Sequence, residues 1–171
     1  YNATVTSNCY SECNVIGADN VGGLMGYSKK AISNSHSTGS IVGRSSYVGG
    51  LVGRTGSGNI SDCYFTGSVK SSSEQVGGLI GRTEATINLT DCYARATVQG
   101  TYYIGGLIGY AYYSPNITRC YTGGGIIANG DYAGGLVGRY YAQYSNGQIN
   151  NSFSNADVWG STYVGGLIGR Y

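Results

Sequence analysis

From Cys63 the chain alternates: Cys63, Phe65, Gly67 and Val69 are small or apolar, and Tyr64, Thr66 and Ser68 between them are aromatic or polar. The stretch from Cys92 repeats this, with Cys92, Ala94, Ala96 and Val98 on one parity and Tyr93, Arg95 and Thr97 on the other. A period of two covers one parity and leaves the other in water, which is the pattern of a half-exposed strand. No segment has a 3.6-residue period bounded by caps, so essentially no α-helix is expected.

The alternation recurs at longer range. The string Gly-Gly-Leu-apolar-Gly occurs six times, at Gly22–Gly26, Gly49–Gly53, Gly77–Gly81, Gly105–Gly109, Gly134–Gly138 and Gly165–Gly169, at intervals of 27, 28, 28, 29 and 31 residues. A second landmark precedes each copy: Cys9, Ser35, Cys63, Cys92, Cys120 and Ser152, each followed six residues later by a β-branched residue. Length variation collects in the loop after each Gly-Gly-Leu. One such unit cannot bury a core, whereas stacked units can. The expected fold is therefore all-β: a parallel β-solenoid (β-helix) of six coils of about 28 residues, forming a single domain over 1–171. The coils run approximately 1–26, 27–53, 54–81, 82–109, 110–138 and 139–171. At one strand spacing per coil the rod would be roughly 29 Å long. A six-bladed propeller would need roughly 40 residues or more per blade. The adjacent apolar pair in each string, such as Leu51 and Val52, breaks the alternation. Either the strand bends there or the variable loop covers one side chain.

Composition now reads differently. The 171 residues include 31 glycines, and at least eighteen of these are punctuation in the six strings. The single proline and the lack of a third-residue glycine period exclude collagen. The net charge of +2 gives no reason to expect nucleic acid or a membrane surface as partner. No apolar run is long enough for a membrane span.

Ile60-x-x-Cys63-Tyr64, then Gly67-Ser68-Val69, and the Val-Gly-Gly-Leu-apolar-Gly-Arg strings at Val48–Arg54 and Val76–Arg82 resemble the GLUG motif. All six units carry the pattern. The resemblance implies an extracellular β-solenoid of the kind found as stalk or passenger repeats in large secreted or surface proteins, bacterial adhesins among them. It carries over no catalytic residue and no cofactor.

Asn-x-Ser/Thr sequons begin at Asn2, Asn59, Asn88, Asn116 and Asn150. Asn59, Asn88 and Asn116 share one column, so N-glycosylation would set glycans in a row along one edge. Cys63, Cys92 and Cys120 fall in one inward column about 4.8 Å apart with parallel Cβ vectors, which is poor geometry for a disulfide. Cys9 and Cys13 share the inward parity of one strand and are too far apart to bridge unless that strand breaks. The five cysteines are therefore expected to be free thiols packed as small apolar residues. Neither a paired Cys-x-x-Cys nor a histidine cluster suggests a metal.

His36 sits in an aromatic column with Tyr10, Tyr64, Tyr93, Tyr121 and Phe153, where a stacked exposed ring is expected rather than a general base. Asp62 and Asp91 are neighbours in the column Asn8, Asn34, Asp62, Asp91, Arg119, Asn151. Paired carboxylates serve polysaccharide cleavage, but an Asn/Asp turn ladder accounts for the same column. A further column, Tyr27, Arg54, Arg82, Tyr110, Arg139, Arg170, has the composition of a cation–π stack. Tyr64, Tyr93, Tyr121, Arg54 and Arg82 are the candidates for an adhesive, carbohydrate-binding surface. Joined end to end, Gly169 would precede Cys9 by 11 residues, the interval of Gly81–Cys92 and Gly109–Cys120. The expected role is a structural rod and not an enzyme. Its expected partner is a copy of itself, head to tail, or a covalent continuation of the solenoid.

Overall fold

The computed structural model describes residues 5–141 and 146–171. Among these the chain contains strands and no helix, and every strand pairing is parallel. A representative coil consists of Ile60–Ser61, Tyr64–Ser71, Val76–Gly77 and Ile80–Thr83. Each of these four strands stacks on its counterpart in the coils before and after, giving four parallel sheets around one core. The fold is a β-solenoid of six coils. The second sheet has seven strands because the first coil contributes two pieces, Tyr10–Glu12 and Val15–Gly17.

Register follows the sequence columns. Tyr64 lies opposite Tyr93 and His36, Val69 opposite Val98 and Ile41, and Gly77 opposite Gly49 and Gly105. The core is a set of apolar columns: Ile32, Ile60, Leu89 and Ile117 from the first sheet, Ile41, Val69, Val98 and Ile126 from the second, all essentially inaccessible.

The corners explain the rest of the repeat. Between the first and second sheets one residue per coil takes the left-handed conformation: Asn8, Asn34, Asp62, Asp91, Arg119 and Asn151, with φ between 47 and 54°. Asn and Asp tolerate this region better than most residues. A second left-handed column separates the second and third sheets: Asn20, Tyr47, Gln75, Tyr103, Tyr132 and Tyr163.

The third corner is the Gly-Gly-Leu string, and it resolves the broken alternation. The chain bends between the strands Val48–Gly49 and Val52–Thr55, so Leu51 and Val52 both point inward and are both fully buried. The Leu79 carbonyl receives two bonds there, from the amides of Leu51 (2.9 Å) and Val52 (3.0 Å). A Cβ on Gly49 or Gly77 would overlap the carbonyl oxygen of Val52 or Ile80 in the same coil. The strings are therefore glycine for steric reasons.

One expectation needs correction. Cys63, Cys92 and Cys120 are buried, but Cys9 and Cys13 are exposed. Their strand breaks between Glu12 and Val15, and among the described residues their coil is the outermost of the stack. In this column the thiols are buried where coils stack on both sides, at Cys63, Cys92 and Cys120.

Candidate functional site

The first corner holds a repeated hydrogen-bond device. The side chain after each left-handed residue donates to the carbonyl two residues earlier: Cys9 to Ser7 (3.3 Å), Ser35 to Ser33 (2.7 Å) and Cys63 to Ser61 (3.1 Å). Cys92 to Thr90 (3.1 Å), Cys120 to Thr118 (3.3 Å) and Ser152 to Asn150 (2.9 Å) complete the set. Cysteine and serine share this column because each supplies one short donor across the turn. The thiols thus act as donors, beyond the small apolar role expected of them. Cys120 and Cys63 on either side, together with burial, push the Cys92 thiol well above its ordinary range.

The left-handed residues themselves include the suspected carboxylate pair. Asp91 is engaged by Arg119, whose Nε and Nη2 lie 2.7 and 2.6 Å from its two carboxylate oxygens. This bond holds the Asp91 carboxyl below the usual range. The pair Asp62 and Asp91 therefore sits on a turn ladder with one member bound to arginine.

On the outer face of the second sheet, Tyr10, His36, Tyr64, Tyr93, Tyr121 and Phe153 form one continuous stack. Ring centroids are 4.6–5.4 Å apart and planes agree within 8°. The spacing is that of the strands, so the backbone imposes the stack. Each inner ring has both faces covered by its neighbours. Tyr64, Tyr93 and Tyr121 can thus offer a ligand only edges and hydroxyls.

The fourth-sheet column interleaves with the second left-handed column. The Arg54 guanidinium lies 4.6 Å from the Tyr27 ring and 5.5 Å from that of Tyr47. Arg82 reaches Tyr47, Tyr110 and Tyr112 at 5.0–5.5 Å, and Arg139 reaches Tyr103, Tyr110, Tyr132 and Tyr141 at 5.1–5.8 Å. Glu84 adds ion pairs to Arg54 (3.4 Å) and Arg82 (3.8 Å). The expected cation–π stack is present, and it is wider than expected. The tyrosines at 47, 103, 132 and 163 were not singled out in the sequence. Their signal is the position just before each apolar-Gly-Gly, where Asn20 and Gln75 also stand.

The sequon column is a ladder of its own. The Asn88 amide nitrogen of the backbone donates to Asn59 Oδ1 (2.9 Å), Asn116 Nδ2 donates to Asn88 Oδ1 (2.9 Å), and the Gln148 backbone donates to Asn116 Oδ1 (3.2 Å). Asn59, Asn88 and Asn150 are exposed and Asn116 is half-buried. Asn2 lies outside the described residues.

The ends differ from the sides. Among the described residues, the exposed large apolar side chains are Val5, Tyr10, Ile16 and Tyr27 in the first coil, which runs through the strand Met25–Ser28, and Phe153, Trp159, Tyr163, Val164, Leu167 and Tyr171 in the last. Tyr102 alone lies between them. No helix among the described residues is long and apolar enough to cross a membrane.

Comparison with known families gives one result. The model of the GLUG motif matches three tandem segments, residues 44–70, 72–99 and 100–129. The outer units keep the same ladder register, as Gly22 opposite Gly49 and Gly134 opposite Gly165 demonstrate. No curated protein and no solved structure matches the chain.

Proposed function

The chain belongs to the GLUG-repeat family, and from that membership and the form of its ends we propose that it is a structural rod. It serves as a repeat unit of an extracellular filament or adhesin shaft, continues lengthwise onto further coils, and carries no catalysis. The observation behind this reading is the column match between the outermost coils. Phe153 shares a column with Tyr10, Trp159 with Ile16, and Arg170 with Tyr27. A first coil laid on a last coil would extend the aromatic stack, the apolar columns and the cation–π zipper in one movement. The fit is the same whether the next coil comes from a second copy or from the same polypeptide. A last-to-first contact is heterologous and does not close, so its repetition gives an open filament.

Extracellular placement is supported by the family and by the sequons, and N-glycosylation is proposed at Asn59, Asn88, Asn116 and Asn150, with Asn2 as a fifth sequon. Intact mass before and after enzymatic glycan removal tests this; an unchanged mass rejects it. Sedimentation velocity over a concentration series tests the rod. Elongated species growing by whole-chain steps are expected, and a monodisperse monomer at the highest concentration would reject self-stacking. Sequencing the native polypeptide beyond both ends then tests covalent continuation.

A further inference from the structure

The outer face of the second sheet is interrupted on one strand, where Gly123 and Gly125 stand in adjacent outward columns. Four residues after the left-handed corner, the outward side chains run Glu12, Thr38, Thr66, Arg95, Gly123, Asn155. Gly123 leaves a gap one side chain deep, and a Cβ built there meets nothing within 4 Å. The gap belongs to a groove of about 630 Å³ lined by Arg95, Thr97, Tyr121, Gly123, Phe153 and Asn155.

Arg95 is the cation of this groove. Its guanidinium lies 5.8 Å from the Tyr93 ring and 5.7 Å from the Tyr121 ring, so two stacked aromatics fix its direction. Among the described residues no carboxylate pairs with it, whereas Arg54, Arg82 and Arg119 each have an acidic partner. A guanidinium held by aromatic faces keeps its donors for a planar anion. The remaining groups are neutral and polar: the Thr97 hydroxyl, the Asn155 amide and the Tyr121 hydroxyl, beside aromatic edges. Arg95 and Asn155 stand two coils apart, roughly 10 Å. A ligand whose carboxylate meets Arg95 would therefore lie over Gly123 and reach Asn155.

We propose that this groove binds a carboxylated saccharide, with Arg95 receiving the carboxylate and Thr97, Tyr121 and Asn155 receiving hydroxyls. One carboxylate with several hydroxyls around a ring matches one cation with several neutral partners. An apolar acid would leave those partners unpaired. The groove faces sideways and stays open whether or not the ends of the rod are covered, so its test is independent of assembly.

The probe is a trimer of galacturonic acid titrated into the full chain by calorimetry, with the neutral trimer of glucose and sodium acetate as comparisons. Saturable binding in the millimolar range or tighter is expected for the acidic trimer, weaker at high salt. Arg95→Gln is expected to weaken it by about tenfold or more. Gly123→Gln places a side chain in the gap, where a Cβ has open space, and is expected to abolish it with the circular dichroism spectrum unchanged. Absence of binding, equal binding in wild type and Gly123→Gln, or equal occupancy by acetate on a molar basis would each overturn the proposal.

Discussion

Arg119 reaches across one coil to Asp91 and closes a two-point contact on its carboxylate, Nε at 2.7 Å and Nη2 at 2.6 Å, while both residues hold left-handed backbone at φ 52 and 54°. Arginine is an unfavoured residue for that conformation, and its column otherwise contains only Asn and Asp. The ion pair offsets the backbone cost at this corner.

Two outcomes follow for this pair. Arg119→Asn restores the preferred corner residue and is expected to leave the thermal midpoint unchanged or raise it at neutral pH, whereas Arg119→Ala lowers it. Arg119 depresses the Asp91 carboxyl in the folded state, so the unfolded chain binds the proton first as pH falls. The contribution is complete above the ordinary carboxylate range near about 4 and is lost as pH falls through the depressed value. Thermal melts of wild type and Asp91→Asn in acid check the sign. A steeper acid loss for Asp91→Asn than for wild type would contradict it.

The thiol column gives a graded series. Cys92→Ser keeps a donor to the Thr90 carbonyl, as Ser35 and Ser152 do in their coils, and is expected to cost under about 1 kcal/mol. Cys92→Ala removes the donor and leaves a small void, for about 1–2 kcal/mol. Cys92→Val removes the donor and overfills the corner, for about 1–3 kcal/mol. Urea unfolding ranks the three, and serine falling below alanine would reject the donor role. Alkylation without reductant provides the companion test. Cys9 and Cys13 react in the native protein, Cys63, Cys92 and Cys120 only after unfolding, in keeping with their exposure.

Tyr140 is 1% exposed, and its hydroxyl donates to the Pro115 carbonyl at 2.7 Å. Burial pushes its hydroxyl up to about 12, with a smaller push from Tyr171. The raised value means that the unfolded chain loses its proton first in alkali. This contribution is intact below about pH 10 and falls as pH rises toward 12. Tyr140→Phe is expected to cost about 1–3 kcal/mol at neutral pH by leaving the Pro115 carbonyl unpaired. It should also remove part of the alkaline destabilisation. A mutant whose alkaline loss equals that of wild type would show that Tyr140 ionises as freely as an exposed tyrosine.

Repetition made most of the fold readable, because a column of like residues at one spacing reports its own stacking. The aromatic ladder through Tyr64 and Tyr93, the inward Ile60 and Leu89, and the Arg54–Arg82 column were all visible this way. Corners were harder. Leu51 and Val52 look like an error in alternation, and only the bend between them lets both be buried. Tyr103 and Tyr132 look like surface aromatics, yet they occupy left-handed turns, a conformation for which tyrosine gives no signal. The donor role of Cys63 hides behind its apolar character until the Ser61 carbonyl is seen beside it. Cys9 shares that column and is exposed, because burial depends on the coils above and below as much as on the residue. The Gly123 groove was missed for a related reason: it is defined by an absent side chain between Arg95 and Asn155.

End-to-end growth makes the sharpest prediction. Leu24 and Leu167 occupy the same inward column in the first and last coils, where Leu51, Leu79, Leu107 and Leu136 between them are fully buried. Leu167 is 37% exposed and Leu24 half-buried, so a lysine at either position can lift its ammonium into water while that end is open. Covering the end would enclose the charge, at a cost of several kcal/mol. Leu24→Lys and Leu167→Lys are each expected to fold, to keep the strand signature in circular dichroism, and to form no oligomers alone. Mixed together they should form dimers and nothing longer, since the intact last coil of Leu24→Lys meets the intact first coil of Leu167→Lys and the two outer ends are blocked. A symmetric contact between like ends would behave differently, because one of the two variants would still pair with itself. Sedimentation of each variant and of the mixture distinguishes these cases, and oligomers from a single variant would reject the last-to-first contact.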